Sequence, residues 1–300
     1  MSGVLAIQRA GPLTSIQDEG RFGMLRHGIS ASGPMDGTAF ASAGQLAGGG
    51  YGGIEFTRAG LEVKLSSGQC RVGFAGGEFS ARRNDMPLAW PGSTMLEEGD
   101  VLAVTPGQWG NYGYLRFDGD IAITPVLDSI ATSSRARLGG IDGRSLRAGD
   151  VVALSGRRAV DVPQVNSEPP PEAPIRVIWG LHADLFPQVL RGRFVTGAFS
   201  VSSHLDRMGV RLDDPEGIFA DAAILSLPSD AIVPGDIQLL GDGTPIVLMR
   251  DHQPTGGYPR IATVITADLD RFAQMRPGAA VAFQPVTVDH AQALLRKRET

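Results

Sequence analysis

Between Asp161 and Pro174 the chain reads DVPQVNSEPPPEAP, five prolines in fourteen residues with hardly any apolar material. Proline fixes φ and removes a backbone donor, so this stretch excludes a helix or a central strand and reads as a stiff, extended connector. It divides 300 residues nearly in half. The expectation is a domain over 1–160, a linker over 161–174 and a domain over 175–300, each large enough for its own core.

Forty glycines and twenty prolines point to many tight turns between short strands rather than to a helical protein. Strand-like runs occur on both sides of the connector: Leu61–Leu65, Asp100–Val104, Tyr112–Phe117 and Ile121–Ile123, then Ile175–Trp179, Ala223–Leu227, Ile246–Met249, Ile261–Ile265 and Ala280–Phe283. Several are entered by Gly-Asp, at Gly99-Asp100, Gly149-Asp150 and Gly235-Asp236. Glycine takes positive φ without steric cost and Asp satisfies the backbone of the turn. Helices are few and short. Asp36 caps a segment with Ala39, Phe40, Ala43, Leu46 and Ala47 at helical spacing, stopped by Gly48-Gly49-Gly50. Ala183 to Leu190 forms a second helix, Asp268 caps Leu269 to Met275, and Asp289 caps Ala291 to Arg298.

A net charge of -5 and a pI near 5.6 give no broad attraction for nucleic acid or anionic lipid, and no apolar run is long enough to span a bilayer. The two lysines, Lys64 and Lys297, leave no good place for a Schiff base or a biotin arm. Cys70 is the single cysteine, so no internal disulfide forms; it lies in an apolar run and reads as a small buried hydrophobe. With no leader at the start, the expected compartment is the cytoplasm. The five histidines lack metal-ligand spacing. There is no P-loop, kinase signature set, GxSxG elbow, CxxC pair or biotin-carrier Met-Lys-Met.

Four segments are denser in polar and glycine residues than a strand or surface turn requires: Thr14–Arg21 running on to His27, Ser32–Asp36, Ser202–Gly209 and Asp251–Pro259. In the last, an apolar strand delivers Arg250, Asp251 and His252 at its end, and Gly256-Gly257 lets the backbone approach a ligand. A carboxylate, an imidazole, a hydroxyl and a phenol on one loop suit proton transfer at an amide; the plainer alternative is a capped strand end followed by a Gly-Gly turn. Asp18 and Arg21 read equally as a surface i,i+3 pair. Asp206 and Arg207, adjacent on a strand, point to opposite faces. An eight-residue echo, Ile29–Asp36 against Phe199–Asp206, suggests duplication of the two halves.

Together Gly11–Arg21, Ser32–Asp36, Asp206–Leu212, Gly235–Gln238 and Thr255–Pro259 resemble the family of allophanate hydrolase subunit 2, the carboxyltransferase-domain family that includes the C subunit of bacterial 5-oxoprolinase and urea amidolyase-related proteins. The chain departs from that pattern at His204 and His252. The resemblance implies a mainly β fold of two tandem cyclophilin-like β-barrel domains. It implies a partner like allophanate hydrolase subunit 1 (the B subunit) and a third subunit, A, that together open the lactam 5-oxoproline to glutamate with ATP. Asp18, Asp36, Asp206, Asp251 and Tyr258 would then be catalytic. Arg21, His27, Ser32, Arg207, Gln238, His252, Thr255, Gly256 and Gly257 would bind a small amide substrate, the Gly256-Gly257 N–H groups receiving an oxyanion or phosphate. The alternatives are carboxyl transfer from biotin, carried by another chain, onto urea or a similar amide, and a non-catalytic module that regulates a sensor kinase.

Overall fold

The computed structural model describes residues 3–158, 172–220 and 227–299. Most of the expected linker and residues 223–226 of the expected strand Ala223–Leu227 lie outside them. The chain packs into two compact units, Met1–Phe22 with Ala31–Pro169 and Gly23–Ser30 with Pro170–Thr300. Both are built mainly of strands, and no described helix is long and apolar enough to cross a membrane.

The first unit is organised on one 16-residue strand, Leu61–Gly76. Its first half pairs antiparallel with Gly3–Ala10 and Val101–Pro106, its second with Gly92–Glu97 and Tyr112–Phe117. Leu61, Val63 and Leu65 alternate inward, followed by Cys70, Val72 and Phe74, all fully buried; the period of two holds within each half, and its phase slips by one residue between Leu65 and Cys70, where the register with Gly3–Ala10 also shifts. Trp90 stacks on Phe74 with centroids 5.3 Å apart. Burial pushes the Cys70 thiol up to about 12. A helix, α1, spans Gly37–Ala47; Asp36 caps it by accepting from Ala39 N at 2.9 Å, and Gly48 ends it at φ 109°. It lies close on the long strand, where a Cβ at Gly73 would meet Ala43 O at 2.3 Å.

The second unit holds an eight-stranded sheet that starts at Ala280–Val281, runs through Phe199–Leu205, Gly209–Asp213, Pro245–Leu248, Asp236–Leu239, Arg260–Val264 and Ile175–Trp179, and ends at Phe283–Pro285. Its first and last strands are separated by Ala282 alone, so the sheet nearly closes on itself. Among the described residues three α-helices accompany it: α2 at Gln188–Thr196, α3 at Thr266–Ala273 and α4 at Val288–Glu299. The buried Phe194 of α2 stacks on Phe283, centroids 4.7 Å apart.

The three Gly-Asp turns share one geometry. Gly99, Gly149 and Gly235 have φ of 95°, 91° and 93°, and the following Asp accepts from the N–H three residues earlier, at Glu97, Arg147 and Val233, over 2.8–3.0 Å. Elsewhere the structure corrects local expectations. The run Ala280–Phe283 is two short strands; Ile121–Ile123 is in a strand only at Ile121. The echoed octets differ, Ile29–Asp36 being irregular and Phe199–Leu205 a strand. Ile265 precedes α3, and Asp268 lies within its first turn, accepting from the backbone N and guanidinium of Arg176. At α4 the capping oxygen is Thr287 Oγ1, which accepts from His290 N at 3.2 Å.

Burial acts to raise the pKa of Asp268, but the hydrogen bonds from the Arg176 guanidinium and N–H outweigh it and the net shift is downward. A depressed folded pKa contributes stability that is present above the unfolded value, about 3.9, and lost as pH falls through the folded one. Asp268→Asn is therefore expected to remove part of the fall in stability below roughly pH 4 while lowering stability at neutral pH, measured by urea unfolding between pH 3 and 7.

Candidate functional site

In the first unit the Thr14–Arg21 segment and the Ser32–Asp36 turn are brought together. Gly33 N donates to Gln17 Oε1 at 3.1 Å and Arg21 N to Ala31 O at 2.8 Å. A Cβ at Gly33, whose φ is 83°, would lie 2.9 Å from Glu19 O. Asp18 and Arg21 are each 1% exposed, so they are not a surface pair. Asp18 accepts from Gly20 N, Ser129 Oγ, Ile130 N and Tyr51 OH. Arg21 donates to the carbonyls of Val126, Ser129 and Ala131. Both residues thus hold the same irregular segment, the carboxylate taking its donors and the guanidinium its acceptors.

Ser32 is buried at φ 58°, in the left-handed region, with a hydroxyl that has no hydrogen-bond partner among the described residues. Asp36 serves as helix cap, and its N–H donates to Tyr114 OH at 2.8 Å. That hydroxyl donates in turn to Glu55 Oε2 at 2.9 Å, which also accepts from Met35 N at 2.7 Å. Burial first, then the charges of Glu55 and Asp36, push the Tyr114 pKa well up, so the phenol stays protonated. Glu55 and Tyr114 were not among the expected site residues; the one signal was a carboxylate in the apolar run Ile54-Glu55-Phe56.

In the second unit Arg207 and Asp251 form a bidentate pair, Nε to Oδ2 at 2.8 Å and Nη2 to Oδ1 at 3.2 Å, with side chains 7% and 6% exposed. Asp251 N also donates to Arg207 O at 2.7 Å. His252 is buried, its Nδ1 2.6 Å from Gln253 O; since a carbonyl only accepts, Nδ1 carries the proton. Asp206 is exposed and caps the turn by accepting from Met208 N and Gly209 N. Buried Gln238 reaches Tyr258 O at 3.5 Å, and a Cβ at Gly256 would meet Gln238 Nε2 at 2.5 Å, so a larger residue there would displace the Gln238 amide. Gly257 O accepts from Leu227 N. Thr255 and Tyr258 are exposed. His27 is exposed in the Gly23–Ser30 segment, accepting from Arg26 Nε at 3.1 Å.

Behind this loop stands a group the sequence did not reveal. Buried Arg260 donates to Asp230 Oδ2, Ala231 O and Asp236 Oδ2, and its N–H donates to His182 Nδ1 at 3.2 Å. Burial, then the Arg260 charge, lowers the His182 pKa and keeps the imidazole an acceptor. Arg207 engages both oxygens of Asp251, so proton transfer by Asp251 requires that pair to open. Removing one partner of a buried ion pair is costly: Asp251→Asn is expected to cost roughly 3–5 kcal/mol in urea unfolding. A cost below about 1 kcal/mol would mean that the other groups around Arg207 compensate its charge.

Comparison with known proteins agrees with this architecture. A model of the carboxyltransferase domain, subdomain A and B, matches residues 27–285. The chain is 32% identical over 287 residues to the C subunit of 5-oxoprolinase from Haemophilus influenzae, covering 95% of this chain and 92% of that one. It superposes on TTHA0988 with TM-score 0.82 and 29% identity, and on the K. lactis urea amidolyase with TM-score 0.84 and 26% identity. Those matches span 94% and 99% of this chain but 56% and 20% of the other chains. With the family model matching most of its length and two strand-built units in tandem, this chain belongs to the carboxyltransferase-domain family.

Proposed function

We propose that the chain is the C subunit of an ATP-dependent 5-oxoprolinase, acting with a subunit like allophanate hydrolase subunit 1 and with a third subunit, A. The observation that carries this reading is the match in extent with the C subunit of a 5-oxoprolinase, 95% of one chain against 92% of the other. The urea amidolyase matched in structure is about five times longer, since this chain spans 20% of it.

The part assigned to this chain is to hold and orient the amide. Thr255 and Tyr258 offer exposed hydroxyls on a loop fixed by the Arg207–Asp251 and Arg260–Asp236 pairs, and fixed donors stabilise charge developing on an amide oxygen. ATP supplies the activation that an unreactive lactam needs, but α1 offers its phosphates no site. The Asp36 carboxylate occupies the N-terminal end of α1, and Gly48-Gly49-Gly50 follows its C-terminal end, where the helix dipole disfavours anions. In this reading ATP is held by another subunit.

A second reading, carboxyl transfer from biotin onto urea or a similar amide, is favoured by the family model itself. Biotin would be carried by another chain, because the two lysines here lie inside a strand, at Lys64, and near the end of the terminal helix, at Lys297. The deciding experiment is ATP-dependent formation of glutamate from 5-oxoproline by this chain co-expressed with its neighbouring subunits. Turnover is expected only in the complete mixture; a folded, complete complex that forms no glutamate would turn the assignment to carboxyl transfer.

A further inference from the structure

Arg116, on the Tyr112–Phe117 strand, is 7% exposed. A guanidinium carries five N–H donors. Here Nη2 donates to Gly50 O at 2.6 Å, Nη1 stands 4.0 Å from Glu19 Oε1, beyond hydrogen-bond reach, and Nε has no partner among the described residues. The Phe40 ring covers one face, its centroid 4.0 Å from Cζ. The other buried arginines at the candidate site are better served: Arg207 and Arg260 each hold a carboxylate within hydrogen-bond distance, and Arg21 reaches three carbonyls. Burial lowers the Arg116 pKa, opposed by the charges of Glu19 and Asp18.

The fold reserves room for this side chain. Arg116 is opposite Gly53 on one neighbouring strand and Gly73 on the other. A Cβ at Gly53 would lie 2.5 Å from Arg116 Cδ, and one at Gly44 on α1 would lie 3.2 Å from Cζ and Nη1. The Nη1 edge faces Glu19, whose side chain is 65% exposed, so that edge looks toward solvent along the Asp18–Gly20 loop. A buried cation short of partners is costly unless a ligand completes it, and the planar fork fits a carboxylate.

We propose that Arg116 is the carboxylate-binding group of a small-molecule subsite beside the Asp18–Gly20 loop. The ligand carboxylate displaces Glu19 and meets the Nη1 edge of the guanidinium. This rests on the oxoprolinase reading only for the identity of the substrate: 5-oxoproline carries a carboxylate beside its lactam and urea carries none. The subsite therefore selects between the two classes of amide.

The test is a titration of the 15N-labelled full chain with propionate, 5-oxoproline and 2-pyrrolidinone, the last being the lactam without its carboxylate. It follows the Arg116 Nε–H resonance, identified by its loss in Arg116→Gln. Both carboxylates are expected to shift it saturably and 2-pyrrolidinone to leave it in place. Glu19→Gln, at an exposed position that leaves folding intact, is expected to tighten carboxylate binding. In the assembled complex Arg116→Gln is expected to raise KM for 5-oxoproline roughly 10- to 100-fold with little change in kcat. No saturable shift with either carboxylate, or an unchanged KM in Arg116→Gln, overturns the proposal. A saturable shift with propionate in a chain whose complete complex turns over no 5-oxoproline upholds the subsite and removes the oxoprolinase reading alone.

Discussion

Buried irregular backbone must find partners for its N–H and C=O groups, and in the first unit two oppositely charged side chains meet that demand for one segment. Asp18 gathers donors from Gly20, Ser129, Ile130 and Tyr51, while Arg21 takes carbonyls from Val126, Ser129 and Ala131. A helix or strand would satisfy these groups through repetition; here ionised side chains do so singly, and the low dielectric strengthens each bond. The Ser32–Asp36 turn depends on the same economy, hung from Gln17 on one side and from the Tyr114–Glu55 hydroxyl–carboxylate pair on the other.

This arrangement constrains function. Most of the buried ionisable groups at the candidate positions are engaged with one another or with backbone, and the exposed polar groups of the second unit's loop are hydroxyls. Such a surface accords with the proposed role of holding a substrate whose activation comes from elsewhere. That agrees with a chain matched in extent to a protein named as one subunit of an enzyme, and with a similar region occurring inside the longer urea amidolyase polypeptide.

What could be read from the sequence was what local sterics decide. The Gly-Asp turns were legible because positive φ is a property of glycine at that residue, and α1 because its cap, apolar spacing and glycine stop agree. Asp268 was misread because a carboxylate in the first turn of a helix looks the same whether it caps the turn or binds Arg176, ninety-two residues away. Glu55 and Tyr114, fifty-nine apart, and Arg260 with Asp230, thirty apart, could not be paired without the sheet registers that bring them together. Polar density marked Asp18, Arg21, Ser32, Asp36, Arg207 and Asp251, but it could not tell an exposed surface pair from a fully buried clamp.

The single thiol of the chain is fully buried within the long strand, where its two sets of strand partners change over. Burial holds it protonated and inert toward alkylating or oxidising reagents at neutral pH. For Cys70 to react, the sheet around the centre of that strand has to part, so its labelling rate reads the opening of the first unit's core and is silent to events in the second. The protein thereby carries a native clock for the breathing of one unit, with no introduced probe and no competing thiol.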